Sequence, residues 1–333
     1  MASFSRMYLW RNRALYLTPQ LVQAKDFVAG SDQLIVCLDG HITRSFPNHP
    51  DVHCRTSLLR AGAKIPQMSV TNHWSRLAIC HLNSLAQDFY ATRSQMQLEV
   101  NGDYFNHQNE TEIIRQLNRV FDEDLATDDT AQVLDDLIIA KHLKQTRFQR
   151  IDPRIESVKA CIEDNIRENL VNADLAKSLN MSESRLVKLF RQQMGIPLTR
   201  FRIHFRVHVG LLYITLGYSV TQAALSTGFS STAHFSRCFS DVFGVPPSSE
   251  FLHPPFLEVK LGQDTLAALQ RRAQSDSMLG KYVQRYQQAH GLGTTLSPKS
   301  PIATESTLKT TLKTNPEATL KVLPKVRAQP AGA

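Results

Sequence analysis

No stretch of this chain approaches the roughly 20 consecutive apolar residues that a membrane-spanning helix requires, so a membrane-embedded role is excluded. Arg6, Arg11 and Arg13 near the start are not followed by the apolar run of a secretory signal, and a cytoplasmic location is expected. Cysteine is scarce and scattered: Cys37, Cys54, Cys80, Cys161 and Cys238 are odd in number and never spaced Cys-x-x-Cys. That argues against a disulfide framework and a structural zinc site. Residues 291–333 contain no aromatic residue and little periodicity, and this Thr, Pro, Lys and Ala composition predicts a disordered basic tail. What is present is positive charge in an uneven distribution. The net charge is +8; residues 1–149 hold 15 Lys/Arg against 16 Asp/Glu, residues 150–252 hold 12 against 9, and residues 253–333 hold 11 against 5. A basic excess confined to the C-terminal half is where phosphate contact would need it, although solubility alone would also account for it.

The first hundred residues read as strand. Gln33–Leu38 and His41–Phe46 flank Asp39-Gly40, a dipeptide that accepts positive φ, and the pattern predicts a hairpin. Further strands are expected at Thr56–Leu59 and Leu77–Leu82, giving a β-rich domain over 1–105. Over 106–149 the period changes to that of helix: Ile113, Ile114, Leu117, Val120 and Phe121 share one face, and Val133, Leu134, Leu137 and Ile138 share another. These helices either cover the β domain or pair with a second chain. Asp152-Pro153 supplies an N-cap with proline at the first helical position, opening a second domain over 150–252 with Ile155, Val158, Ile162 and Ile166 at helical spacing. From Leu257 to about Gln288 the pattern is that of one or two polar helices.

The most informative feature is a pattern written twice, 49 positions apart: Ser182, Leu186, Lys188, Phe190 and Gly195-Ile196-Pro197, then Ser231, Phe235, Arg237, Phe239 and Gly244-Val245-Pro246. Each copy follows a short helix, the first around Leu175, Ala176 and Leu179 with Asn172 as its expected cap, the second around Val220, Ala223 and Ala224. Ala176 and Ala224 are 48 apart, so the second turn is one residue longer. Projected at 100° per residue, the second helix of copy one buries Leu186, Leu189, Phe190 and Gln193 and leaves Ser184, Val187, Lys188 and Arg191 outward. In copy two, Phe235, Cys238, Phe239 and Val242 face inward and Ala233, Ser236, Arg237 and Ser240 face outward. Small and basic residues on one helix face suit a major groove, where Lys or Arg reaches guanine O6 and N7. Between the copies, Leu198–Leu216 reads as one helix with Phe201, Phe205, Val209, Leu212 and Leu216 buried; its length approaches the roughly 34 Å between successive groove faces. Arg200, Arg202 and Arg206 add charge to it, Arg206 with a structural bridging role as the alternative.

On these residues, 150–252 resembles the DNA-binding domain of the AraC/XylS family of transcription regulators. The second copy carries the likeness best, through Gly228-Phe229, Phe235-Ser236-Arg237, Phe239, Gly244 and Pro247, and the linker agrees at Phe201, Arg206 and Leu212. The resemblance implies an α+β chain: a β-rich, cupin-like domain that commonly takes a small effector, two helices that commonly dimerise, then an all-α double helix-turn-helix. It places base reading on Ser184, Arg185, Val187 and Lys188, with Arg191 beside them, and on Thr232, Ala233, His234 and Arg237. It implies double-stranded DNA and RNA polymerase as partners, leaves a small effector and a homodimer open, and implies no enzyme activity, cofactor or metal. Gly210 departs from the usual alanine and should weaken an exposed helix by up to about 1 kcal/mol. The segment Pro247–Leu252 has one extra residue before Phe251 and Leu252 in place of a common arginine, which leaves a last helix and its phosphate contact open. His49, Asp51 and His53 sit among prolines and lack the cupin His-x-His with a following Glu, so they read as surface residues rather than metal ligands. His73 and Trp74 leave packing and ligand contact open. Two other classes compete with a regulator: an effector-free architectural DNA-binding protein, and a DNA-repair enzyme that accepts alkyl groups on a cysteine, for which Cys37, Cys54 and Cys80 show no activating spacing.

Overall fold

Strand Gln33–Cys37 (β4) explains the N-terminal architecture: Leu34 and Val36 enter one core and Ile35 and Cys37 enter another, so the strand is buried on both faces and reads as a continuous apolar run. The computed structural model describes residues 4–290 apart from 21–25, 66–68, 71–74, 84–86, 139–142, 144–145, 147–151, 250–251, 253–255 and 275–276. His73 and Trp74, Glu250 and Phe251, and the tail from residue 291 lie outside the described residues.

Strands Ser5–Leu9 (β1), Ala14–Thr18 (β2), Phe27–Val28 (β3), β4, Ile42–Phe46 (β5), His49–Cys54 (β6), Thr56–Leu59 (β7), Lys64–Ile65 (β8), Ser69–Val70 (β9) and Leu77–His81 (β10) come first. A short helix Asp88–Arg93 (α1), strands Met96–Val100 (β11) and Asp103–His107 (β12), and helices Glu110–Glu123 (α2) and Thr127–Ile138 (α3) complete the region. The large sheet runs β11-β12-β7-β4-β10-β2-β1 and ends on the strand Leu257–Leu261 (β13), with β3-β8 and β6-β5-β9 as separate smaller sheets. One core lies between the large sheet and α2 and α3, where Ile113, Leu117, Val120, Leu134 and Ile138 meet Leu15, Leu17 and Leu34. The two helices therefore cover the sheet. The other core collects Ile35, Ile42, Val52, Leu59 and Phe105 between the large sheet and the small ones.

The hairpin expected around Asp39-Gly40 does not form. β4 pairs with β7 and β10, whereas β5 pairs with β6 and β9. Gly40 takes φ +87° and Asp39 is held by Arg76 at 2.6 Å, so the turn carries the chain from one sheet to another instead of back along itself. A positive-φ dipeptide sets a sharp turn but not the partner of the strand that follows.

The C-terminal domain holds helices Pro153–Asp164 (α4), Asn172–Ser178 (α5), Glu183–Met194 (α6), Leu198–Thr215 (α7), Val220–Ser226 (α8) and Thr232–Phe243 (α9). Asp152 caps α4 as expected, accepting from Arg154 N at 3.0 Å, but α4 stops at Asp164, short of Ile166. Beyond this domain the helical expectation for Leu257 onward is corrected. Leu257–Leu261 is a strand (β13) that joins β1 in parallel, Ser5 opposite Leu257 through Leu9 opposite Leu261, and only then do helices Gln263–Ala273 (α10) and Ser277–Ala289 (α11) follow. Arg6 pairs with Glu258 at 2.9 Å, Lys260 with Asp124 at 2.5 Å, and the Tyr286 hydroxyl accepts from Leu261 N at 2.7 Å. The last strand of the described chain thus completes the N-terminal sheet.

Candidate nucleic-acid interface

The two helix-turn-helix units are built alike from their caps inward. Ser182 Oγ accepts from Arg185 N at 3.3 Å and Ser231 Oγ accepts from His234 N at 3.2 Å, each satisfying an otherwise unpaired donor at the start of α6 and α9. Both helices end on a left-handed glycine, Gly195 after α6 and Gly244 after α9. The turn between α8 and α9 is one residue longer than that between α5 and α6, as the spacing predicts. Asn172 is not the cap of α5: Val171 holds that position, and Asn172 Oδ1 accepts from Arg202 at 2.9 Å.

On α6, Leu186, Phe190 and Gln193 are buried, and Ser184, Arg185, Lys188 and Arg191 are exposed. On α9, Phe235, Phe239 and Val242 are buried, and Ala233, His234 and Arg237 are exposed. Val187 and Thr232 are half-buried; Thr232 Oγ1 donates to Thr221 Oγ1 on α8 at 3.3 Å, and the His234 ring rests edge-on against Phe229. The Lys188 and Arg237 side chains occupy equivalent exposed positions. Around them the charge differs: α6 adds Arg185 and Arg191, whereas α9 adds Asp241.

Helix α7 holds the units apart, and its 18 residues span about 27 Å at the usual rise. Its buried surface is wider than the single face projected from sequence. Leu212 is buried as projected, and His204, Val207, Leu211 and Ile214 are buried too, while Phe201, Phe205, Val209 and Leu216 are only half-buried. The helix serves two cores at once, Phe201 and Phe205 packing toward α6 and Val207 and Leu211 toward α9, so one amphipathic stripe does not describe it. Gly210 has a positive reason to be glycine: a Cβ there would lie 2.5 Å from the Phe235 ring, so α7 and α9 approach too closely for alanine. Arg202 and Arg206 are engaged within the domain. Arg202 donates to Leu170 O, and Arg206 donates to Ile166 O at 2.8 Å, Glu168 O at 2.8 Å and Gly228 O at 3.1 Å, tying the loop after α4 to the second turn. Arg200 is exposed and lines the cleft between the domains.

The remaining candidates fall elsewhere. His49 and His53 lie exposed on β6, a strand rather than a loop, with His53 Nδ1 3.0 Å from Thr43 Oγ1. Cys37, Cys54 and Cys80 are buried, and burial pushes their thiols up to about 11, 12 and 12, the opposite of an activated thiolate. Among the described residues no helix is long and apolar enough to cross a membrane. Sequence reading passed over His81, His204 and His208, which line a cavity where the domains meet. His81 lies more than 120 positions from the other two, and no spacing rule joins them.

Two serine-capped helices, each with a buried apolar face and an exposed cation and joined by one long helix, have the arrangement of a double helix-turn-helix domain. Residues 175–251 match the family model described as a helix-turn-helix domain. The HTH-type transcriptional regulator GbdR of Pseudomonas aeruginosa is 30% identical over 111 residues, 33% of this chain and 29% of that protein. The arabinose operon regulatory protein of Escherichia coli strain K12 is 29% identical over 126 residues, 34% of this chain and 43% of that one. The chain thus spans less than half the length of these relatives. A crystal structure of an apo ToxT variant from Vibrio cholerae strain SCE256 matches 73% of this chain and 97% of its own with a TM-score of 0.51 at 14% identity, a likeness of fold. The helix-turn-helix domain of this chain is thus similar to those of the AraC/XylS type of transcriptional regulator.

Proposed function

We propose that this chain is a sequence-specific transcription regulator that reads two successive major-groove segments with α6 and α9. The observation that carries this reading is the equivalence of Lys188 and Arg237: both are exposed, both stand six residues beyond a serine cap, and both lie on helices fixed to the same rod, α7. Around them, Ser184, Arg185, Val187 and Arg191 on α6 and Thr232, Ala233 and His234 on α9 would complete the contact surface. Short side chains let the backbone approach while the long cations reach base edges. Arg202 and Arg206 are spent on backbone carbonyls and are left out of that surface.

By likeness to its relatives, the chain would act in the cytoplasm by binding promoter DNA and contacting RNA polymerase, its N-terminal domain responding to a small effector and the helices α2 and α3 offering a place for a second copy to pair. A non-enzymatic role is favoured over alkyl transfer because the N-terminal cysteines are buried with raised thiol values. Selection of binding sites from random DNA, followed by footprinting of Arg237→Ala, tests the reading. Loss of one guanine preference, with a cost of about 1 to 3 kcal/mol at the selected site, is expected. Selection that yields no motif, or a variant footprint identical to that of the parent, overturns the groove assignment.

A further inference from the structure

Where the N-terminal sheet meets the DNA-binding domain there is a cavity of about 200 Å³. An apolar cavity of about 150 Å³ accommodates benzene, so this one is the size of a single substituted ring. Its walls are largely apolar: Leu9 at the end of β1, Ile196 just after α6, and Phe201 and Phe205 on α7, whose rings lie nearly parallel with centroids 6.4 Å apart. Pockets of this kind, apolar with a few placed polar groups and seated between domains, are the usual form of a small-molecule site.

Three histidines, His81, His204 and His208, stand among the polar groups of its lining, and two of them face each other. His81 at the end of β10 and His208 on α7 meet edge to face, ring centroids 5.8 Å apart, one from each domain. His81 Nδ1 lies 2.9 Å from Ser31 Oγ. His208 Nδ1 lies 2.7 Å from the carbonyl oxygen of His204, a contact that requires the proton on Nδ1 and leaves Nε2 as a lone-pair acceptor. Burial lowers both imidazoles, His81 to about 3, so each is neutral near neutral pH. No hydrogen bond from a described residue engages either Nε2. The charged groups at the rim already satisfy one another: Glu163 pairs with Lys159 at 2.5 Å and with Arg11 at 3.6 Å, and Lys159 also donates to Asn12. Arg13, the third cation of the lining, is held by Asp88 at 2.7 Å and by Asp135. The site therefore presents a neutral acceptor between aromatic walls, and among the described residues each cation of its lining already has a carboxylate partner.

We propose that this interdomain cavity is the effector site and that it takes a small, neutral, single-ring molecule carrying a hydroxyl or N–H that donates to His208 Nε2. The proposal rests on the reading of the chain as an effector-responsive regulator. Its position gives it purchase on both recognition helices. Met194 and Ile196 at the end of α6 line the cavity, and the His208 ring packs on Phe243, the last residue of α9, at 5.1 Å between centroids. A ring seated there braces the C-terminal ends of α6 and α9 against the N-terminal domain.

Phenol, toluene and benzoate, each titrated into the full-length chain and followed by thermal shift, test this. Phenol is expected to raise the melting temperature saturably, by about 2 °C or more, toluene to do so less, and benzoate not at all. His208→Phe keeps the ring and removes the acceptor, and should weaken phenol binding at least tenfold; His81→Phe reports on the facing wall. Because toluene, phenol and benzoate are compared on the unmodified chain, the result does not depend on either variant folding. Absence of any shift with phenol, benzoate binding as well as phenol, or a phenol shift untouched by both folded variants overturns the site. DNA binding measured with and without phenol separates the two readings. Phenol binding that leaves footprints unchanged keeps the site and removes its effector role. Loss of all sequence-specific DNA binding removes the regulator reading and leaves the ligand result standing.

Discussion

The two helix-turn-helix units share a backbone plan and differ in what surrounds it. The first has a core of its own, in which Ile155, Val158 and Ile162 from α4 meet Leu186, Phe190 and Leu198. It meets the N-terminal domain where Gly195 and Ile196 sit against Arg60–Gly62. The core of the second is shared. Phe235, Phe239 and Val242 belong to the same cluster as Leu257 and Leu261 of β13, Leu269, Leu279 and Val283 of α10 and α11, and Met7 of β1. Tyr282 on α11 packs tilted against Tyr218, ring centroids 4.7 Å apart, and donates to Gly217 O, and α9 lies beside β3. Duplication thus copied the cap, the aromatic knobs and the terminal glycine, while the C-terminal segment fastened one copy to the N-terminal sheet. The more basic unit is the less fastened one.

The widest gap between the units should appear when their equivalent aromatics are removed. Phe190→Ala and Phe239→Ala each delete a fully buried ring and should each cost about 3 to 5 kcal/mol. Their reach should differ. Hydrogen exchange is expected to quicken only across α4 to α6 in the first variant, but across α9, α11 and the β1–β13 pair in the second. Equal and local footprints of increased exchange would mean that the shared cluster is not one cooperative unit.

Acid should act on the contact between domains before it acts on the strand pair that fastens the second unit. His204 is held down to about 4 and His81 to about 3 by burial, against roughly 6.5 when unfolded. Between those values the unfolded chain binds more protons than the folded one, so stability is full above about pH 7 and falls as the pH drops toward 4. At pH 5 the loss should be roughly 2 kcal/mol for each histidine. Amides near Gly195–Leu198 are expected to lose protection at a higher pH than those of Leu257–Leu261, and His204→Gln should flatten the slope. If both segments open together, the two attachments are not separable.

What could be read in the sequence follows from how local its cause is. Helices α6 and α9 end where predicted because serine caps, aromatic spacing and terminal glycines all act within one or two turns. Strands β7 and β10 were legible from their own composition. The partner of β5 was not, since Asp39-Gly40 dictates a turn and not a sheet, and neither was β13, whose Leu-Glu-Val-Lys-Leu pattern becomes a strand only because the edge of β1 lies open beside it. Only part of the buried surface of α7 was projected, because a helix between two cores has two stripes. In the candidate site, Lys188 and Arg237 came from periodicity, while the roles of Arg202 and Arg206 depend on carbonyls some 20 to 40 positions away in sequence.

The turns offer a smaller contrast. Gly228 holds φ +82° and a Cβ would lie 2.8 Å from the Arg167 backbone, so Gly228→Ala combines backbone strain with a contact that cannot relax through a side chain. A cost of about 1 to 3 kcal/mol is expected. The corresponding turn of the first unit uses Asn180 at φ +54°, and Asn180→Gly should change stability by a few tenths of a kcal/mol at most, roughly the difference between two residues that both accept this region. Chemical denaturation of the two variants measures the asymmetry, and a costly Asn180→Gly would mean that its side chain does more than tolerate the turn.

The smallest effect is the one in which the units should not differ. Ser182 and Ser231 make the same bond to the third backbone N–H of their helices, at 3.3 and 3.2 Å, in equally exposed positions. Serine to alanine at either cap should cost about 1 kcal/mol, and the double variant should cost the sum, because the caps share no partner. The surroundings that set the units apart, namely β13, α10 and α11, share a cluster with Phe235, Phe239 and Val242 on the buried face of α9, opposite the exposed serine cap. A cap cost clearly larger in the second unit would show that fastening reaches the first turn of α9, where His234 and Arg237 stand, and would make the strand pairing of β1 with β13 a determinant of how that helix is presented to DNA.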